Sequence, residues 1–160
     1  MNRKEHFKPF LKWAGGKTPL LSELEKHTPK KYNYYVEPFL GGGALFFYLN
    51  PNKALLSDSN KELINCYIVV RDNVDYLIKE LSHYLNDEKE YYRIRALNPD
   101  KLTKIQRAAR FIYLNKTCFN GLYRVNKKGA FNVPYGKKKS VLICDRARLR
   151  SASKALKNAK

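Results

Sequence analysis

Apolar residues fall in two short clusters near the start of the chain and then in a series of helical repeats. Val36 and Phe39 suit a short buried strand, followed by the turn Gly41-Gly42-Gly43 and an amphipathic helix from Ala44 to Leu49. A second strand, Ala54-Leu55-Leu56, runs into Ser57-Asp58-Ser59-Asn60. Strand, glycine turn, helix and strand make a βαβ unit and predict the α/β class. Upstream, Gly15-Gly16 marks a tight turn, and Thr18-Pro19 starts a helix carrying Leu20, Leu21 and Leu24.

The period then changes. Residues 61–96 read as helical, with Leu63, Ile64, Tyr67, Ile68 and Val70 on one face and Leu77, Ile78, Leu81 and Leu85 on a second, broken at Asn73. A third helix covers residues 88–97. Pro99 ends it, and Ile105, Ala108, Ala109 and Ile112 carry a fourth. So many helices after only two strands predict a separate module over residues 61–140, between a first segment at 1–60 and a tail at 141–160. Tyr123-Arg124-Val125 and Ala130-Phe131-Asn132-Val133 flank Asn126-Lys127-Lys128-Gly129, a β-hairpin signature. In the tail, Val141 to Cys144 suits a strand or short helix. Arg146 to Lys160 is a basic helical pattern with Ala147, Leu149, Ala152, Ala155 and Leu156.

Charge sharpens this picture. Residues 101–160 hold 17 Lys and Arg against one acid, Asp145, whereas residues 1–100 hold 15 against 13. Such one-sidedness points to nucleic acid, held through phosphate contacts. An anionic membrane surface fits less well, because turn residues interrupt the basic stretch. No apolar run could span a bilayer, and Met1 to Lys8 is too polar for a signal core, so a cytoplasmic protein is expected. Cys66, Cys118 and Cys144 are too far apart for a zinc ribbon or a disulfide framework, and no metal site is expected.

The glycine turn carries the candidate chemistry. It is neither G-x-G-x-x-G nor a phosphate loop, and it serves equally well as a plain tight turn. Glu37 precedes it where a pyrophosphate would need positive charge, which favours S-adenosylmethionine over a dinucleotide. Asp58, at the tip of the second strand, can accept hydrogen bonds from ribose hydroxyls or cap the next helix, and the two roles are compatible. Trp13 and Lys17 stand either at the pocket mouth, with Lys17 on a carboxylate, or in a loop whose Trp13 packs on the core. In the basic stretch, Phe119, Tyr123 and Tyr135 interleave with lysines, as suits DNA, and Arg124 can read a guanine edge. An exposed hairpin with ordinary solvated lysines is the plainer alternative.

Four ordered motifs carry a family resemblance: Lys12 to Lys17; Glu37 to Ala44; Ser57-Asp58-Ser59-Asn60 with Glu62 to Asn65; and Asn120 to Asn126 with Phe131 to Gly136. Together they resemble the N-terminal part of the D12 class of adenine-N6 DNA methyltransferases, the Dam-like and DpnM-like enzymes. The resemblance implies a partial Rossmann-like, S-adenosylmethionine-dependent methyltransferase domain with an inserted helical and β-hairpin target-recognition module. It implies that Trp13, Lys17, Glu37, Phe39, Gly41, Gly43 and Asp58 hold the cofactor. Double-stranded DNA would meet Lys12, Phe119, Asn120, Leu122, Arg124, Asn126 and Lys137. Of these, Lys12 and Arg124 would sit on guanines of a short site, expected to be GATC, with Phe119, Asn120 and Leu122 near the opened base pair.

The family's catalytic Asp-Pro-Pro-Tyr does not occur. Asn132-Val133-Pro134-Tyr135 is like it only superficially and belongs to the hairpin. No catalytic residue is therefore assigned. The chain is expected to be a truncated or split product, inactive alone, with the C-terminal half as a possible separate partner. The alternative is a non-catalytic, basic DNA-binding remnant.

Overall fold

The computed structural model describes residues 7–160; residues 1–6 of the polar N-terminal stretch lie outside the described residues. A short 3-10 turn over Thr18–Leu20 leads into α1 (Leu21–His27). Then come β1 (Tyr35–Glu37), α2 (Ala44–Leu49) and β2 (Ala54–Leu56), the expected βαβ unit. The strands are parallel, with Tyr35 opposite Ala54, Val36 opposite Leu55 and Glu37 opposite Leu56. Gly43 starts α2 from a left-handed conformation (φ 65°), which glycine adopts without a Cβ penalty.

Five helices follow: α3 (Lys61–Asp72), α4 (Val74–Leu81), α5 (Glu88–Ala96), α6 (Lys104–Thr117) and α7 (Arg146–Leu156). Local sequence sets their starts. The Asn60 side chain accepts the backbone N–H of Glu62 and Leu63, Asp87 that of Glu90, and Asp145 that of Arg148. Thr103 and Gln106 form a reciprocal capping box at α6. The break at Asn73 falls where the sequence predicts it.

Among the described residues one hydrophobic core joins β1, α2, β2 and the five later helices, whereas α1 buries no residue in it. Helix α6 is buried on nearly every side from Ala108 to Thr117, and α3, α4 and α5 pack around it. Helix α7 lies on α3 and α4. Phe46 and Phe47 of α2 are fully buried, each stabilising the fold by about 1.5–3 kcal/mol.

Four expectations change. The first strand is not buried on both faces: Val36 and its partner Leu55 are 56% and 44% exposed, because the described helices cover only the opposite face. Leu85 is exposed and Ile68 partly so, since α4 stops at Leu81 and α3 turns Cys66 and Val69 inward instead. Residues 141–144 form neither strand nor helix. Finally, the helical pattern at the tail ends at Leu156. The next residues extend the sheet: Ala54 N–H donates to the Asn158 carbonyl at 3.0 Å, and Lys160 N–H to the Ala54 carbonyl at 2.9 Å. Ala159 thereby occupies a third parallel position beside β2.

Candidate functional site

The segment after β1 is folded against the segment after β2. Leu40 N–H donates to the Ser57 carbonyl at 2.9 Å, and the Ser57 hydroxyl to the Pro38 carbonyl at 3.2 Å. Asp58 completes the link: one carboxylate oxygen accepts the Gly41 N–H and the other the Asn60 N–H, each at 3.0 Å. A carboxylate has about four acceptor positions, so two remain for hydroxyl donors.

Space at the turn is tight. A methyl group on Gly41 would lie 2.7 Å from the Trp13 indole, and one on Gly43 would lie 2.9 Å from the Tyr67 hydroxyl oxygen. That hydroxyl, fully buried, donates to the Gly41 carbonyl at 3.1 Å. Trp13 is also stacked near Phe111 and Tyr123, at 6.3 and 5.7 Å between centroids. Packing on the core and standing beside the turn are thus both realised by Trp13. A hollow of about 670 Å³ is lined in part by Lys12, Trp13, Gly42, Ala44, Tyr48 and Arg148; Phe39 and Asp58 are not among its lining.

Glu37 is half-buried beneath the turn. Burial is the largest influence on it and pushes its carboxyl pKa up, against the Tyr35 hydroxyl, which donates at 2.8 Å, and the Phe46 backbone. Phe39 stands out into solvent, 87% exposed, on the stretch clamped to Ser57. An exposed ring of that size is what a planar heterocycle can stack on. Trp13, Glu37, Gly41, Gly43 and Asp58 are therefore one constellation with Phe39 at its rim. The Lys17 ammonium donates to the Gly15 carbonyl at 3.1 Å.

The basic segment makes a second constellation. Asn115, at the end of α6, holds Lys12: its Oδ1 accepts the Lys12 N–H at 2.9 Å, and its Nδ2 donates to the Lys12 carbonyl at 2.7 Å. The Lys12 side chain packs on Gly121, in the turn that carries Phe119, Asn120 and Leu122. Asn120 is left-handed (φ 54°), and Phe119 and, to a lesser extent, Leu122 are exposed.

The predicted hairpin exists but is short. Val125 bridges to Phe131, and the Asn126 side chain accepts the N–H of Lys128 and Ala130 to close the turn. Arg124 lies across this ribbon from Asn132. Lys137 is exposed, with φ at 50°.

Three cations that the residue pattern did not single out join Lys12. Burial first, then the nearby Arg148 guanidinium, lowers the Lys116 pKa, with Asp145 opposing. Burial and then Lys12 lower that of Lys138. Only their convergence in space distinguishes Lys116, Lys138 and Arg148 from other lysines and arginines of this segment. Among the described residues no cluster could hold a metal ion, and no helix is long and apolar enough to cross a membrane.

The family described as D12 class N6 adenine-specific DNA methyltransferase matches residues 13–160. Type II methyltransferase M.MjaIII of Methanocaldococcus jannaschii is 49% identical over 96% of this chain and 60% of its own length. Type II methyltransferase M1.LlaDCHI of Lactococcus lactis subsp. cremoris is 47% identical over 97% and 57%, respectively. The DNA adenine methylase of Haemophilus influenzae is 41% identical over 81% and 47%. The chain therefore spans about half to three fifths of the length of these curated relatives.

Proposed function

Because this chain belongs to the D12 class of N6 adenine-specific DNA methyltransferases, we propose that it carries the cofactor-binding and target-recognition portion of an enzyme methylating adenine N6 in duplex DNA, with GATC as its site. On this reading residues 1–60 belong to a Rossmann-like domain, residues 61–140 form the recognition module, and residues 141–160 lead back to the sheet. The bond between Asp58 and the Gly41 N–H carries the proposal. It fixes a carboxylate with spare acceptor capacity at the tip of β2, one turn away from the exposed Phe39 ring.

S-adenosylmethionine would supply a sulfonium-bound methyl group. Asp58 would accept ribose hydroxyls, Phe39 would stack on the adenine ring, and Gly41 and Gly43 would let the backbone come close. Glu37 would complete the polar floor, with Trp13 as one wall and Lys17 near the carboxylate. On the DNA side, Lys12 and Arg124 would read guanines, with Phe119, Asn120 and Leu122 at the opened pair. Asn126 would shape the hairpin tip, and Lys116, Lys137 and Lys138 would face phosphates.

A second reading is a remnant that binds DNA without cofactor. The close approach of Trp13 to Gly41 favours it, because the indole already covers part of the turn. Isothermal calorimetry with S-adenosylmethionine separates the two. Saturable heat that Asp58→Asn abolishes is expected; no heat from a folded wild-type chain supports the remnant.

A further inference from the structure

The Arg124 side chain is held in place before any DNA arrives. Its Nε–H donates to Asn132 Oδ1 at 2.8 Å, and its Nη2 to the Asn132 carbonyl at 3.4 Å. The same two residues are joined through the backbone, where Asn132 N–H donates to the Arg124 carbonyl at 3.1 Å. Asn132 is itself anchored. The next carbonyl, Val133, accepts the buried Tyr91 hydroxyl at 2.7 Å and Arg95 Nη1 at 3.1 Å. On the other side, Phe131 is buried and packs on Tyr123.

Arginine has five N–H donors in a rigid fork. Here Nε–H and one Nη2 hydrogen face Asn132, which leaves both Nη1 hydrogens and the second Nη2 hydrogen pointing away. Two parallel donors on that free edge match the O6 and N7 acceptors of guanine. A neutral amide suits the holding role. A carboxylate in its place would neutralise the guanidinium and repel phosphates.

We infer that Asn132 is a positioning residue for specificity: it orients Arg124 so that the outer edge of the guanidinium, not the whole flexible side chain, meets the base. The inference rests on the reading of Arg124 as a guanine contact. It adds the device by which an exposed arginine avoids losing its rotamer freedom on binding.

Two measurements test it. The Arg124 Nε–H resonance should be distinct and slow to exchange with water in the free wild-type chain, and lost into the exchange-broadened pool in Asn132→Ala. An unchanged resonance overturns the clamp, whatever DNA binding shows. In the second, fluorescence anisotropy compares a GATC duplex with duplexes carrying 7-deazaguanine at one position. Arg124→Ala should abolish discrimination at one guanine, and Asn132→Ala should reduce it there by roughly three- to tenfold. Asn132→Asp, which keeps the acceptor, should retain discrimination while weakening all duplexes. If Asn132→Ala weakens every duplex equally with discrimination intact, Asn132 is a phosphate or folding contact and the inference fails. If Arg124→Ala leaves discrimination unchanged, the reading beneath it fails instead.

Discussion

The Asp58 carboxylate accepts the Gly41 N–H at 3.0 Å, joining residues 17 positions apart across the C-terminal ends of two parallel strands. One side chain therefore sets the shape of the glycine turn and keeps acceptor sites for a ligand. Asp58→Ala removes the acceptor for two backbone N–H groups and should cost about 1–3 kcal/mol in urea unfolding. Asp58→Asn keeps one of the two acceptor oxygens and sets an NH2 group against the other N–H, so it should recover only part of that loss. A loss below about 0.5 kcal/mol for Asp58→Ala would show that these two bonds do not hold the turn.

Gly43 has no room for a side chain. Its φ of 65° is left-handed, and a methyl group would approach the Tyr67 hydroxyl oxygen to 2.9 Å. Gly43→Ala should lower stability by about 2 kcal/mol or more. Gly129 is also left-handed (φ 76°), but nothing lies within 4 Å of its added methyl. Gly129→Ala should lose only the conformational part, about 1–2 kcal/mol. Similar thermal shifts for the two would refute a steric role for Tyr67.

Glu37 gives the fold a defined pH dependence. Burial raises its folded pKa above the ordinary 4.5, so the folded state binds its proton more tightly than the unfolded chain. The stability this contributes is complete below the unfolded value and is lost as pH rises through the folded one. Glu37→Gln stays neutral and still accepts from Tyr35. The variant should therefore gain stability relative to wild type as pH rises from about 4 to 7. A wild-type-to-variant difference that is flat over that window would contradict this account.

On DNA, the cations divide by role. Arg124→Ala should cost about 1–3 kcal/mol at one base pair and relax preference there. Lys116→Ala and Lys137→Ala should weaken binding to all duplexes similarly, each lowering the salt slope by about one. Equal effects of Arg124→Ala on every sequence, or unchanged salt slopes for the lysine variants, would be contrary results.

Much of this was legible from local signals. The glycine turn, the Asn73 break and the hairpin turn at residues 126–129 each depend on a few adjacent residues, and each stands where the pattern puts it. What the sequence hid depends on partners distant in the chain. Asn115 holds Lys12 across 103 positions, and Tyr91 reaches Val133 across 42. The third sheet position at Ala159 is too short to show a period. Lys138 sits within a run of three lysines, and only its approach to Lys12 and Lys116 sets it apart. The exposed faces of Val36 and Leu55 leave no local signal, because an apolar run looks the same whether one face or both are covered.

The most direct test of the central claim uses Trp13, the sole tryptophan, whose indole lies against Gly41. Titrating S-adenosylmethionine into the folded chain while recording tryptophan emission reports on the glycine turn itself. The account predicts a saturable change that Asp58→Asn removes. Emission that stays flat in the wild type, or changes identically in the variant, would contradict it.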